Sequence, residues 1–489
     1  STTVFGKTVW AAAAMAANAP ELAKDIENEK NWRHKYIAPV RALAAKQMES
    51  SNAAVASARA GLECIYKSFE FTRNSSTTTL ADAMSTLTTD GFATKTIKGE
   101  AAISQSHVAL TLPVGGKELR GEELVAQVRQ WVASGVVEED VARAVAGLLG
   151  TSGLGEKIAE RVEWNEWLHA ARKRVYVLLG ATSEMCPFAT LMALGCTVVA
   201  VQRPSSRTRR LVDAARASPG TLILPVQHAG PASDLEAMAD EELCTKAGAD
   251  VLVHTPEIRN WLLSVLPGEA MVVGSYVYLD GEAHVRASVA MDAIASSLLK
   301  KRPGTALTYL ASPATCYPVP AAAVEDSEAR LSKAPWWHSP TSMLFGGWAK
   351  NDFERVQSAG GQVSFVYNGL SGVQGPNYAL AKTLQNWRCI VAQAEGHMVS
   401  ANMAPASKTD SVMHVKTVAT AMKGMSAIEP LMAFEGPAAS ALMAMLLLHD
   451  MGNPESSAHA KVGANEHPML LFSTCGVHGG LWRCPYTLD

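Results

Sequence analysis

Tyr378 and Lys382 stand four residues apart in the segment Tyr378-Ala379-Leu380-Ala381-Lys382. On a helix that spacing puts a phenol and an ammonium on one face, about one turn apart. A phenol ordinarily titrates at about 10, too high to exchange protons well at neutral pH. A neighbouring ammonium favours the phenolate and draws that value down. Such a pair can pass a proton to a carbonyl oxygen, or take one from an alcohol, while a hydride moves on the adjacent carbon. The plainer reading is a half-buried tyrosine and a solvated lysine on an ordinary helix. Two serines are candidates for a third member that holds the substrate oxygen. Ser312 ends a strand-like run, and Ser371 lies on the loop leading to the tyrosine. Serine also forms turns at strand ends.

These side chains need a scaffold, and the chain changes texture where one begins. Residues 1 to 170 read as a mostly helical N-terminal domain, with helical periodicity over 9–25, 36–70, 121–135 and 137–149. The exception is 92–119, where β-branched alternation and Gly115-Gly116 predict a small hairpin. Residues 171 to 489 read as a second domain. Its first run, Val175–Leu179, is continuously apolar, as expected of a strand buried on both faces. Strands over 197–201, 221–226, 250–253, 306–310, 363–367 and 397–401 then alternate with helices such as 187–194 and 205–217. That alternation predicts an α/β fold with a doubly wound parallel sheet, Rossmann-like in class. An irregular insertion occupies about 313–361 and carries Trp336-Trp337-His338 and Gly346-Gly347-Trp348.

Composition narrows the function classes. Of 489 residues, 48% are hydrophobic and 18% charged, enough to build a substantial core. A net charge of −3 argues against a nucleic-acid surface, which needs a basic excess. The eight cysteines are scattered with no CxxC pair, so they read as reduced thiols, and no metal is expected. No apolar run approaches the roughly 20 residues of a bilayer span. The apolar stretch near the start, followed by Asp25, Glu27 and Glu29, is not expected to be a secretory signal. The expectation is a soluble homo-oligomer of the cytoplasm or an organelle matrix, acting on a small molecule.

Across roughly 172–455 the landmarks, taken in order, resemble the short-chain dehydrogenase/reductase family. Val177-Leu178-Leu179-Gly180-Ala181-Thr182-Ser183 is similar to its first strand and cofactor turn. The run from Ala249 to Pro256 sits where the family has the strand ending in Asn-Asn-Ala-Gly. Ser312 ends the run that resembles the serine-bearing strand, and Tyr378 with Lys382 match the catalytic pair. Asn402 to Asp410 resembles the Asn-x-x-x-Pro-Gly-x-x-x-Thr loop over the nicotinamide, and Glu435 to Asp450 its late helix. The chain departs from the pattern at two glycines of the cofactor turn, which are Glu184 and Cys186 here. Glycine suits positions where backbone approaches a pyrophosphate or a helix packs closely on a strand. The Asn-Asn-Ala-Gly turn is His254-Thr255-Pro256-Glu257.

The resemblance implies an oxidoreductase that interconverts a carbonyl and an alcohol, with Tyr378 as acid/base, Lys382 assisting it, and Ser312 or Ser371 holding the substrate oxygen. It also implies a cofactor site from Gly180, Thr182, Ser183, Met185, His254, Pro405 and Thr409. The second strand ends in Gln202-Arg203 rather than in an acidic residue, and Arg203 and Arg207 suit a 2′-phosphate. NADP(H) is therefore the expected cofactor. Two other readings stay open. One is a non-catalytic scaffold or assembly subunit of the same fold, and the other a non-redox isomerase or lyase using the same pocket.

Overall fold

Val175–Leu179 is buried at all five positions, and its side chains divide between two cores. Val175, Val177 and Leu179 face one core, while Tyr176 and Leu178 face the other. That is the period-two alternation of a strand packed on both sides. The computed structural model describes residues 2–89, 91–103, 110–150, 166–227, 230–335, 352–358, 361–459 and 467–487.

Among the described residues seven strands form the main sheet. In chain order they are β1 (Ala93–Lys98), β2 (Val175–Leu179), β3 (Thr197–Val201), β4 (Thr221–Val226), β5 (Met271–Ser275), β6 (Ala306–Thr308) and β7 (Val399–Ser400). In space they run β7-β6-β5-β2-β3-β4-β1. All neighbours from β7 to β4 are parallel, and only β1 pairs antiparallel, on β4. The mixed α/β sheet is compatible with a Rossmann-like fold. Its strand order reverses between β2 and β5, the place where such sheets open a crevice at their carboxyl ends.

Helices cover both faces. They include α1 (Thr2–Ala16), α2 (Ser51–Ser68), α3 (Phe188–Ala193), α4 (Arg207–Arg216), α5 (Thr255–Ser264), α6 (Gly281–Lys301), α7 (Pro376–Ala394) and α8 (Gly436–Gly452). α1, α2, α5, α6 and α7 supply one core, through residues such as Trp10, Leu62, Trp261, Ile294 and Trp387. α3, α4 and α8 supply the other, through Leu191, Leu211 and Leu446. Inside the first core the Asp292 carboxylate of α6 takes a two-pronged ion pair from Arg388 of α7, at 2.6 and 2.8 Å. Tyr66 of α2 donates a third bond to it at 2.9 Å.

Several elements differ from expectation, each for a local reason. Residues 250–253 are not a strand. The Asp250 side chain accepts from Leu252 N at 2.9 Å and bends the chain toward α5, whose first turn holds Pro256. The sheet's next strand is instead β5, a run buried at all five positions. Residues 363–367 do form a strand, but outside the main sheet. Val363–Asn368 is the middle strand of a separate antiparallel sheet with Cys316–Val319 and Phe353–Gln357. The hairpin expected over 92–119 is two things. β1 joins the main sheet, and only Leu112–Val114 and Lys117–Leu119 form a hairpin around Gly115-Gly116. Of the 313–361 insertion, the tryptophans and His338 lie outside the described residues.

Residues before 170 do not stand apart from the sheet. They supply its edge strand β1, and α1 and α2 pack on α7. Trp10 meets Trp387 edge-on with ring centres 5.4 Å apart. Gly61 of α2 lies against the Trp387 ring so closely that any Cβ there would collide with it. Gly61→Leu is therefore expected to destabilise the protein by about 1–3 kcal/mol, the usual cost of overpacking a core. Urea denaturation checks this, and an unchanged midpoint would mean that α2 does not depend on that contact.

Candidate functional site

α7 begins abruptly because Gly375, at φ 80, turns the chain and Pro376 occupies the first helical turn. A positive φ is accessible to glycine at little cost, and proline suits a position whose N–H has no helical partner. Tyr378 therefore sits in the first turn of α7, with Lys382 one turn later. Ser312 follows β6 and is buried. Its Oγ lies 2.9 Å from Tyr378 Oη and accepts from Ala314 N at 3.2 Å. Sixty-six residues of separation thus close into one hydrogen-bonded pair.

Ser371 is not part of that pair. Its Oγ accepts from Val373 N at 3.3 Å, and its carbonyl accepts from Tyr36 Oη at 2.7 Å. It shapes the turn before α7. Lys382 does not hydrogen-bond Tyr378 either; its Nζ donates to Gln385 Oε1 at 3.2 Å.

The electrostatics differ from the sequence expectation. Burial raises the Tyr378 phenol above its ordinary value, and the Ser312 hydrogen bond is what acts against that rise. The lysine was expected to draw the phenol down, and it does not. Burial instead lowers Lys382 itself to about 8. At neutral pH the site holds a protonated phenol and an ammonium close to losing its proton.

His284, in the first turns of α6, has no sequence signal linking it to Tyr378. It is 2% exposed and stacks on the Tyr378 ring with centres 5.7 Å apart. Its Nδ1 accepts from Leu279 N at 3.4 Å, while Nε2 has no hydrogen-bond partner among the described residues. Burial first, and then the Lys382 charge, push the imidazole down to about 3. It is therefore neutral at physiological pH.

The candidate cofactor residues are less uniform. Gly180 has φ 98, and a Cβ there would lie 2.6 Å from Val277 N, so this turn needs glycine. The turn then closes on itself: Ser183 N bonds Gly180 O at 2.9 Å, and Cys186 N bonds Ser183 O at 3.1 Å. Those two N–H groups are not available to a phosphate. Thr182 is half-buried, as is Met185. Glu184, at the first of the two departed glycines, accepts from Asp410 N at 2.8 Å. That bond straps the first turn to the loop holding Pro405 and Thr409. Pro405 is buried, and its carbonyl accepts from Ser407 Oγ. Thr409 is buried and its Oγ1 lies 3.0 Å from Ser411 Oγ.

Arg203 and Arg207 are exposed beyond β3, and no carboxylate among the described residues pairs with either. Their neighbour Arg209 is held by Asp213 and Glu241. His254 is not at a strand end. It precedes α5, where its Nδ1 accepts from Asp250 N at 3.3 Å and its ring meets Phe92 edge-on. His478 is sealed in the interior, donating from Nε2 to Glu138 at 2.9 Å and stacking on Trp482. Among the described residues no group of three or more His, Cys, Asp or Glu side chains is arranged to hold a metal, and no helix is long and apolar enough to cross a membrane.

A narrow crevice opens beside the carboxyl ends of β5, β6 and β7. Its walls include Met185, Tyr276, Leu310, Asn402 and Met443. No protein-family model, no curated protein and no solved structure matches the chain.

The buried imidazole gives a pH test. An unfolded histidine takes up a proton below about 6.5, whereas folded His284 resists it down to about 3. Across that window the unfolded state binds more protons, so stability falls as pH falls. His284→Phe keeps a stacking ring and removes the titration. The variant is expected to lose less stability than the parent between about pH 7 and pH 4. Parallel denaturation curves for the two proteins across that range would contradict a neutral buried imidazole.

Proposed function

We propose that the chain is an NADP(H)-dependent reductase of small carbonyl compounds, with a short-chain-dehydrogenase-like mechanism. The observation that carries this is the Ser312–Tyr378 pair at 2.9 Å, built at the carboxyl edge of a parallel sheet. A phenol raised by burial stays protonated at neutral pH, which suits it to donate to an oxygen gaining negative charge. Ser312 offers a second polar contact to the same oxygen, and contacts that strengthen as charge develops lower the barrier. The resting pair is therefore ready to donate when a carbonyl is reduced, and the same hydroxyl takes the proton back in the reverse step. Lys382 keeps a positive charge near the site below about pH 8.

The residues fit a dinucleotide in part. The Gly180 turn is closed against Val277, while Arg203 and Arg207 are free to meet a 2′-phosphate. When bound, the cofactor supplies the hydride. Glu184 crosses the path between the first turn and the 402–410 loop, so its bond to Asp410 N must open for the ligand to seat. The same strap favours a second reading, in which the crevice serves a non-redox step and takes no dinucleotide.

Tyr378→Phe keeps the ring and removes only the hydroxyl. With NADPH and a panel of ketones and aldehydes, turnover should fall roughly 10²–10⁴-fold, the range for losing general acid catalysis. The fold should survive, as circular dichroism would report. An activity that Tyr378→Phe leaves intact would remove the tyrosine from the mechanism.

Glu184→Gly removes both the strap and a carboxylate. NADPH should then bind roughly five-fold more tightly, the worth of one hydrogen bond of about 1 kcal/mol. Calorimetric titration reads this directly. Absence of NADPH binding in both proteins would promote the non-redox reading.

A further inference from the structure

Tyr378 stands in the first turn of α7 and is half-buried, so the direction of its hydroxyl depends on a few contacts. Three come from three different segments. Ser312, after β6, has its Oγ 2.9 Å from Tyr378 Oη. Tyr278, on the loop before α6, meets the phenol ring edge-on with centres 6.3 Å apart. His284 of α6 lies nearly parallel to the ring, with 23° between the planes and 5.7 Å between the centres. Aromatic pairs at these separations attract in both arrangements.

The imidazole is itself anchored. Its Nδ1 lies 3.4 Å from Leu279 N, which can only donate, so Nδ1 accepts and the proton sits on Nε2. A second proton would set N–H against N–H and break that anchor. Burial and the nearby Lys382 ammonium both keep the ring neutral. What moves the phenol is burial and the Ser312 bond, so the lysine charge bears on His284 instead. Tyr278 completes the wall: its ring centre is 4.9 Å from the imidazole, and its hydroxyl donates to Asp280 at 3.3 Å. Around the two stacked rings the ionisable groups are therefore Lys382 on α7, and Tyr278 with Asp280 on the loop before α6.

We propose that His284 is a positioning residue for the candidate acid. Pinned through Nδ1, its imidazole covers one face of the Tyr378 ring, fixes the plane of that ring so that Oη stays on Ser312, and keeps water from the covered face. The role rests on Tyr378 acting as the acid, in the reduction or in the non-redox alternative. It adds a residue that neither reading contained.

The test reads Tyr378 in the full chain, with tyrosine labelled with ¹³C at Cζ and the resonance assigned through Tyr378→Phe. His284→Ala uncovers the ring. The Tyr378 titration should then fall by about one pH unit, as water relieves the desolvation that raised it. His284→Phe replaces the cover and should return the titration to the parent's. With a carbonyl substrate, His284→Ala should lower kcat roughly 10- to 100-fold, the cost of a misplaced group, with KM little changed. A folded His284→Ala in which Tyr378 titrates as in the parent would overturn the proposal. So would a His284→Phe that does not restore the titration. If His284→Ala does not fold, His284→Asn is read in its place, since it keeps an acceptor for Leu279 N and lacks the ring. Failure to find any turnover in the parent would count against the reductase reading, and the titration would still decide the part played by His284.

Discussion

The Arg388–Asp292 ion pair is the constraint on which the site depends. Arg388 lies on the same helix as Tyr378, and both charges are buried between α6 and α7. Two parallel bonds fix α7 in rotation as well as position, which a single contact would not do. Tyr66 adds α2 to the same carboxylate, so an N-terminal helix is tied to the helix carrying the candidate acid. Removing one partner of such a pair strands a buried charge and typically costs about 3–5 kcal/mol. The stacking of His284 on Tyr378 follows from the same clamp, because α6 supplies both His284 and Asp292.

The chemistry that results differs from the one spacing suggests. Four residues on a helix put an ammonium near a phenol, yet desolvation governs both groups here. It raises the phenol and lowers the lysine, and the Ser312 hydrogen bond is what opposes the rise. A tyrosine in that state is a donor to developing negative charge rather than a base. The first βα turn shows a parallel trade. Glu184 replaces a position that suits backbone approach to phosphate, and its carboxylate holds a neighbouring loop instead.

Much of the parallel sheet was legible because fully buried strands read as continuous apolar runs, as β2, β3 and β4 do. The misses have physical causes. Residues 250–253 look like a strand until Asp250 spends its side chain on its own backbone. Residues 363–367 have strand character, but strand character does not say which sheet a strand joins. β1 was read as half of a hairpin because its partner, β4, lies far away in sequence. At the site, both Ser312 and Ser371 were candidates by type and place, and it is Ser312 that the structure brings to Tyr378. His284 carried no such signal, since its place against Tyr378 arises from packing between two helices distant in sequence.

The central claim is that Tyr378 is a half-buried phenol held by desolvation above its ordinary pKa and bonded to Ser312. Tyrosine labelled with ¹³C at Cζ reports ionisation directly by NMR, with Tyr378→Phe identifying the resonance. The account predicts that Tyr378 titrates above about 10, the value of a free phenol, and moves higher still in Ser312→Ala. A Tyr378 that ionises below about 10 would contradict it. Such a result would return the lysine to the role that the spacing alone suggests.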